Sequence, residues 1–408
     1  MLNPNVKIFY TYTFIQSLGR GIWMGNILSL YIVLLAETAT GFLGLTPNEL
    51  LGVTSAVTGV AMLMSVLPGG ILADRWSIKG TLVLAALAAS VGLLALALVP
   101  TLVGVAVGLF FWGVFQGLSR PAAETMLANS TISGNRSKVY SKAHVLDQLG
   151  MGSGPVLNIF LFLILGDRWD VSILRMVMWV GMIFSFISTQ IILRIHTQHD
   201  LGMESEALGD SATNDSHKKG IQRFIPHVFL ASSFIIGFGA GMTVKFFPVF
   251  FRSIYGFQPI AVQAVMGAGL LVTGLATALA QRFSLRQGRA EMIVVLQGFA
   301  ILCLIGMSFY PPVWIMILLF IVRGATMNAT TPLSRSIVMD YVPKKRRGVW
   351  NSLQSVAWGL FWNVSALLGG FIIGNDRFNR IFLVTAGIYV LGTGIIIPLI
   401  PAIHRERA

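Results

Sequence analysis

Four ionisable side chains interrupt long apolar stretches of the sequence: Arg20, Asp147, Lys245 and Arg323. Burying such a group in a bilayer costs at least about 2.5–3.5 kcal/mol, so each needs a functional or structural reason. A guanidinium presents its N–H donors in a planar fork, which suits a carboxylate or a phosphate. We therefore expect Arg20 and Arg323 to bind an anionic group.

The one acid well inside an apolar stretch is Asp147, and His144 precedes it by one helical turn. A desolvated carboxylate can load and release a proton, so Asp147 with His144 is a candidate proton-coupling site. A fixed counter-ion for Arg20 or for a helix end is the alternative. Lys245 lies near the end of its stretch, where its ammonium either reaches the interface or joins the polar groups.

Twelve apolar stretches must position these residues. Charged residues make up 11% of the 408-residue chain and apolar residues 55%, whereas soluble proteins carry about 25% charged residues. This composition excludes a soluble enzyme and a disordered chain, and one cysteine, Cys303, excludes a disulfide scaffold. A spanning helix needs about 20 apolar residues. The predicted spans are 8–35, 50–72, 81–99, 101–119, 139–165, 172–194, 226–250, 259–280, 290–309, 313–336, 349–374 and 379–400.

The basic residues predict the orientation of these spans. The net charge is +13, and most of the 29 basic residues fall in the segments that share a side with both termini. Basic loops face the cytoplasm, so both termini are predicted to be cytoplasmic. The same rule explains the positive charge without a nucleic-acid partner.

The chain contains two copies of one plan. Ala73–Lys79 after span 2 matches Ala280–Arg286 after span 8, and Leu18–Gly21 in span 1 matches Phe238–Gly241 in span 7 at an offset of 220. We predict two six-helix halves, 1–193 and 226–408, joined by a cytoplasmic linker, 194–225. Such repeats are typical of secondary transporters, whose solute site lies between the halves near the bilayer midplane.

The loop from Gly70 to Lys79 resembles the G-x-L-A-D-R-x-G-R-K signature of the major facilitator superfamily, with Ser77 and Ile78 in place of its second Gly and following Arg. Gly150-x-x-x-Gly154-Pro155 is similar to a motif of the superfamily's antiporters. The resemblance implies cytoplasmic gating by Gly70, Asp74, Arg75, Lys79 and Arg136, with Gly70 allowing close helix approach. It also implies that spans 1, 4, 7 and 10 line a cavity. Together with an aromatic wall on span 11, these spans add five candidate solute contacts: Trp23, Asn26, Gln116, Asn328 and Trp358.

These observations predict a secondary active transporter of a small organic anion that works by alternating access with proton coupling. The alternative is a proton-coupled exporter of hydrophobic drug-like compounds; a membrane-embedded enzyme and a transport-dead sensor are remoter readings. No ATP-binding motif, cofactor motif or metal-ligand set is present in the sequence. We expect a monomer embedded in the lipid bilayer of the cell membrane, whether inner or plasma membrane, whose partners are a solute and a proton.

Overall fold

The computed structural model describes residues 3–39, 41–132, 136–196, 201, 220–342 and 347–403. The described residues are overwhelmingly α-helical, as the apolar composition predicts. The helices are α1 Pro4–Trp23, α2 Asn26–Thr38, α3 Pro47–Arg75, α4 Ile78–Leu98, α5 Leu102–Asn129, α6 Arg136–Leu165, α7 Val171–Ile192, α8 Ile225–Thr243, α9 Phe247–Tyr255, α10 Pro259–Gln287, α11 Arg289–Met307, α12 Val313–Tyr341, α13 Arg347–Ile373 and α14 Phe378–Gly394.

The predicted all-α membrane fold is confirmed. Eleven helical segments of the described chain are long and apolar enough to cross a bilayer, and Phe361–Ile373 of α13 adds a shorter apolar one. The side of the membrane on which the termini lie stays a prediction. The sequence-derived linker, 194–225, falls mostly outside the described residues.

The chain divides into two compact units. Unit 1 comprises Met1–Ser211 with Phe257–Ala264, and unit 2 comprises Ala212–Gly256 with Val265–Ala408. This division departs from the predicted halves, because the beginning of α10 groups with unit 1. Within unit 1, α1 packs on α6 and α7, and α5 packs on α3 and α4; within unit 2, α8 packs on α13 and α14, and α11 packs on α12.

Two predicted spans are not continuous helices. Span 1 is interrupted at Met24 and Gly25, between α1 and α2, and span 7 is interrupted by a 3₁₀ turn, Val244–Phe246, between α8 and α9. Gly25 has no Cβ, which favours a break at that point. Pro248 lacks an N–H and its ring clashes with the carbonyl four residues earlier, which ends α8. The interruptions lie 220 residues apart, the offset at which spans 1 and 7 match in sequence.

The two motifs that follow spans 2 and 8 are partly or wholly helical in the structure, although the sequence suggests loops. Residues Ala280–Arg286, predicted as a loop, continue α10 as helix until Gly288, whose φ of 103° stops it. The helix α3 likewise includes Ala73 to Arg75 of the first motif. Each motif is therefore held by a helix end and not by a free loop.

Candidate functional site

Unit 1 gathers charged residues from three helices around Tyr12 of α1. The charges of Arg20, Arg120 and Asp147 all act on the Tyr12 hydroxyl, which is hydrogen-bonded to the buried Ser119. Arg120 of α5 also lies within reach of the charges of Arg20, Asp147 and Glu124. Two guanidinium groups and two carboxylates thus share one region, so its formal charges balance.

Asp147 of α6 is tied to α1. Its Oδ1 accepts a hydrogen bond from the hydroxyl of Ser17, a residue only 2% exposed and one turn before Arg20. The Asp147 side chain itself is half-buried, whereas His144, one turn earlier, is exposed. The structure therefore ties Asp147 to α1, the helix that carries Arg20, and the role of Asp147 with His144 in proton coupling stays a prediction.

Glycines set the close contacts that hold α1 in place. A Cβ added to Gly154 of α6 would lie 2.2 Å from the carbonyl carbon of Gly21, and one added to Gly150 would lie 2.6 Å from the carbonyl oxygen of Phe14. A Cβ on Gly19 would lie 2.7 Å from the backbone nitrogen of Ser185 on α7. The antiporter-like glycines, together with Gly19 and Gly21, therefore act here in helix packing.

Arg323 lies inside unit 2. It is 5% exposed, and its Nη2 donates a hydrogen bond of 2.8 Å to the hydroxyl of Tyr389 on α14. Its guanidinium carbon lies 5.2 Å from the ring centre of Phe247 and 5.8 Å from that of Tyr389. The Nε–H is buried without a hydrogen-bond partner among the described residues. Aromatic rings, and no carboxylate of the described unit, surround this cation.

Lys245 occupies the interruption of span 7. Its Nζ donates a hydrogen bond of 2.6 Å to Oδ1 of Asn363 on α13, and the Asn363 Nδ2 donates to the carbonyl of Gly359 at 2.8 Å. Asn363 is 7% exposed and Lys245 is half-buried. The ammonium is thus directed to a neighbouring helix of its own unit. It does not extend towards the membrane interface, which was the alternative position for this side chain.

Three further predicted contacts fall in unit 1. Trp23 is fully buried in unit 1, donates from Nε1 to Ser185 at 3.0 Å and packs edge-on against Trp112, and its contact with a solute stays a prediction. Asn26 begins α2 and donates to Oε1 of the buried Gln263 at 3.3 Å. Gln116 is half-buried on α5, one turn before Ser119 and Arg120.

The last two predicted contacts lie on α12 and α13. Asn328 is exposed on α12, five residues after Arg323. Its side chain does not share the buried position of Arg323 in the core of unit 2. Trp358 lies on α13, and its side chain is outside the described part of the chain.

The predicted gating residues are mostly exposed. Asp74, Arg75 and Lys79 lie on the surface at the end of α3 and the beginning of α4, and the Arg136 side chain is outside the described residues. A Cβ added to Gly70 would meet no atom of the described residues within 4 Å, so the close helix contact predicted there stays a prediction. Its neighbour Gly69 makes that contact, with Gly117 O at 2.8 Å from the added Cβ. The gate itself stays a prediction.

Sequence reasoning missed three participants. Arg120 lies one residue beyond the predicted span 101–119, but α5 runs through Pro121 to Asn129 because proline is tolerated within membrane helices. Tyr12 and Ser17 show no sequence signal until their partners on α5 and α6 are known. Lys245 did carry a signal, since Pro248 follows it by three residues and predicts an interrupted helix around it.

The sequence matches the family model described as Major Facilitator Superfamily over residues 10–313 and 229–408. The fold is similar to that of a bacterial homologue of the iron transporter ferroportin in its inward-facing state, with a TM-score of 0.72 and 12% identity over 98% of this chain and 99% of the other. It is also similar to a D-xylose–proton symporter (TM-score 0.71, 14% identity, 96% of each chain) and to the nucleoside transporter NupG (0.66, 16%, 97% and 99%). No curated protein sequence gives a significant match.

Proposed function

This chain belongs to the Major Facilitator Superfamily, and we propose that it carries a small organic anion across the membrane, coupled to proton movement, by alternating access. Membership of the family makes the chain a multi-pass membrane transporter of a small molecule and not an enzyme. The similar structures include proteins named as a D-xylose–proton symporter, a nucleoside transporter and a peptide transporter. Because their sequence identity to this chain is low, these structures show that the fold is similar and do not identify the solute.

The charge of unit 2 carries the proposal that the solute is an anion. Lys245 and Arg323 lie within its spanning segments. The acids among its described residues lie at helix ends or in a loop: Glu291, Asp340 and Asp376. A cation in a bilayer requires a partner, and here none of the described partners is a carboxylate. An incoming anion supplies the missing countercharge.

Unit 1 supports proton coupling. Its ion cluster contains as many carboxylates as guanidinium groups, and Asp147 is held there by Ser17. A carboxylate among fixed cations changes the charge of the whole cluster when it takes up or releases a proton. Arg20 belongs to the same cluster, so protonation of Asp147 alters the field that an anion near Arg20 experiences.

Thermal stabilisation of the purified protein tests the solute class. A ligand that binds only the folded state at about 100 times its Kd stabilises that state by about 2.7 kcal/mol. The panel contains malate, benzenesulfonate and inorganic phosphate, with choline and tetraphenylphosphonium as cations and xylose as a neutral compound. Each is measured at acidic and at neutral pH.

The proposal expects at least one anion of the panel to raise the melting temperature. It expects choline, tetraphenylphosphonium and xylose to leave the melting temperature unchanged. Stabilisation by tetraphenylphosphonium alone would favour an exporter of lipophilic compounds and overturn the proposal. If none of the three anions raises the melting temperature, the proposal is overturned as well.

A further inference from the structure

We propose that Lys245, held in place by Asn363, is the anchor for the anionic group of the solute, while Arg323 supports this site from within unit 2. The inference rests on the proposed function and names the residue that gives unit 2 its selectivity. Three observations carry it: the position of Lys245 in the chain, the chemistry of its partner and the surroundings of Arg323.

Lys245 lies where the backbone of span 7 is not regular helix. Interrupted helices in corresponding positions of two repeats are characteristic of binding sites in transporters. The interruption at Val244–Phe246 corresponds to that at Met24 and Gly25, and Asn26 follows the latter. Each repeat therefore places a polar side chain at the break of its first span, an ammonium in one repeat and a carboxamide in the other.

The partner of Lys245 is neutral. The Asn363 carboxamide accepts one hydrogen bond from Nζ, and an ammonium has three donors. A neutral acceptor orients the ammonium without neutralising its charge. Among the described residues, the structure shows a hydrogen bond from Nζ to this amide and no ion pair with a carboxylate. An anion that binds the remaining donors would therefore be the first group to compensate this charge.

Close packing fixes the two helices that present this pair. A Cβ added to Gly241 of α8 would lie 2.5 Å from the carbonyl oxygen of Trp362, and one added to Gly369 of α13 would lie 2.2 Å from that of Met242. The helices α8 and α13 are thus in backbone contact at Gly241 and Met242, three to four residues before Lys245. Pre-positioned donors lose little freedom on binding a ligand, which favours affinity.

Arg323 is the weaker candidate for direct contact. It is 5% exposed and its guanidinium is engaged by Tyr389 and Phe247. Phe247 follows Lys245 by two residues and begins α9. Arg323 therefore stabilises the segment immediately after the break and acts as a positioning residue for Lys245.

Two variants test the anchor by opposite changes. Lys245→Met removes the charge and keeps an unbranched chain. Asn363→Asp keeps the size of the side chain and supplies an internal carboxylate to Lys245, so it takes the place of the solute anion. Lys245→Arg retains a cation. Arg282→Gln and Asn375→Asp make comparable charge changes at exposed positions of unit 2 and serve as controls.

Binding of malate, benzenesulfonate and inorganic phosphate is titrated for each variant. Lys245→Met removes the cation that pairs with the anion, and Asn363→Asp neutralises it, so each is expected to raise Kd roughly 30-fold or more. Lys245→Arg and both controls should stay close to the wild type. If Lys245→Met does not fold, Asn363→Asp tests the same claim, because its internal ion pair preserves packing.

The two failures are distinguishable. If the wild type binds an anion and both Lys245→Met and Asn363→Asp bind it equally well, the anchor is overturned and the proposed function stands. If the wild type binds none of the three anions, the proposed function falls and takes the anchor with it. For Arg323, the hydrogen-bond partner Tyr389 provides the readout: Tyr389→Phe should weaken anion binding less than Lys245→Met does, and a larger effect would make Arg323 the anchor.

Discussion

The guanidinium of Arg323 donates a hydrogen bond of 2.8 Å to the hydroxyl of Tyr389, and both side chains are buried in unit 2. The two residues lie on α12 and α14, 66 positions apart in the chain. The bond satisfies one nitrogen of a cation that has no carboxylate partner among the described residues. The sequence predicts Arg323 as a solute contact, and that role stays a prediction; the proposal above makes Arg323 a positioning residue.

Tyr389→Phe should therefore destabilise the protein. Hydrogen bonds to charged groups contribute about 1.5–3 kcal/mol, whereas a neutral one contributes about 0.5–1.5 kcal/mol. Tyr255→Phe is the comparison, because the Tyr255 hydroxyl donates to the neutral carbonyl of Pro311 at 2.6 Å. Thermal unfolding in detergent should show a larger drop for Tyr389→Phe. A smaller drop than for Tyr255→Phe would contradict the role assigned to this bond.

The neighbouring glycines of α3 give a sharp test of helix packing. Gly69→Ala would place its Cβ 2.8 Å from the Gly117 carbonyl and 2.9 Å from Cα of Leu118, whereas Gly70→Ala meets no atom of the described residues within 4 Å. Overpacking of this kind costs about 1–3 kcal/mol. The melting temperature should fall for Gly69→Ala and remain unchanged for Gly70→Ala. The reverse order would mean that α3 is rotated relative to the arrangement described.

Much of this fold is readable from hydropathy alone, and much of the site is not. Apolar length predicts the spans, but it does not reveal the breaks at Gly25 and at Val244–Phe246, because backbone interruptions leave hydropathy unchanged. Gly69 and Gly70 are indistinguishable in sequence until the rotation of α3 is known. Choosing between them requires the position of α5.

The site features that the sequence does not predict depend on partners that are distant in the chain. Lys245 and Asn363 are 118 positions apart, and Ser17 and Asp147 are 130 apart. The sequence marks Arg20, Asp147 and Arg323 by their charge, since ionisable groups are rare in membrane spans. It does not show that Arg323 turns inward while Lys245 is directed to an amide. That distinction depends on the packing of helices within unit 2.

Asp147→Asn should remove the pH dependence of transport. The substitution preserves size and an acceptor for the Ser17 hydroxyl but removes the group that exchanges a proton. Uptake of the anion that stabilises the wild type is compared between acidic and neutral pH in proteoliposomes. Asp376→Asn removes an exposed loop carboxylate and should leave the pH dependence intact. Unaltered pH dependence in Asp147→Asn would exclude Asp147 as the coupling residue.

Asp170 should stabilise α7 in a pH-dependent manner. The hydrogen bond from the Ser172 hydroxyl, followed by those from the backbone N–H groups of Ser172 and Ile173, lowers the pKa of the Asp170 carboxyl below its usual value of 3.8. A carboxyl with a depressed folded-state pKa contributes stability that is present above the unfolded-state pKa, about 3.9, and is lost as pH falls through the folded-state pKa. Asp170→Ala should lower the melting temperature at neutral pH, and the difference from wild type should shrink in strong acid. An undiminished difference there would show that the carboxylate charge is not the cause.

The most direct test of the account is proton movement driven by an anion. Proteoliposomes containing the wild type and a pH-sensitive dye are exposed to malate, benzenesulfonate or inorganic phosphate, and protein-free liposomes and Asp147→Asn serve as controls. The account predicts that at least one anion changes the internal pH with the wild type and not with either control, and that choline and tetraphenylphosphonium do not. A pH change driven only by the cations, or none with any anion, would contradict the proposal of a proton-coupled anion carrier.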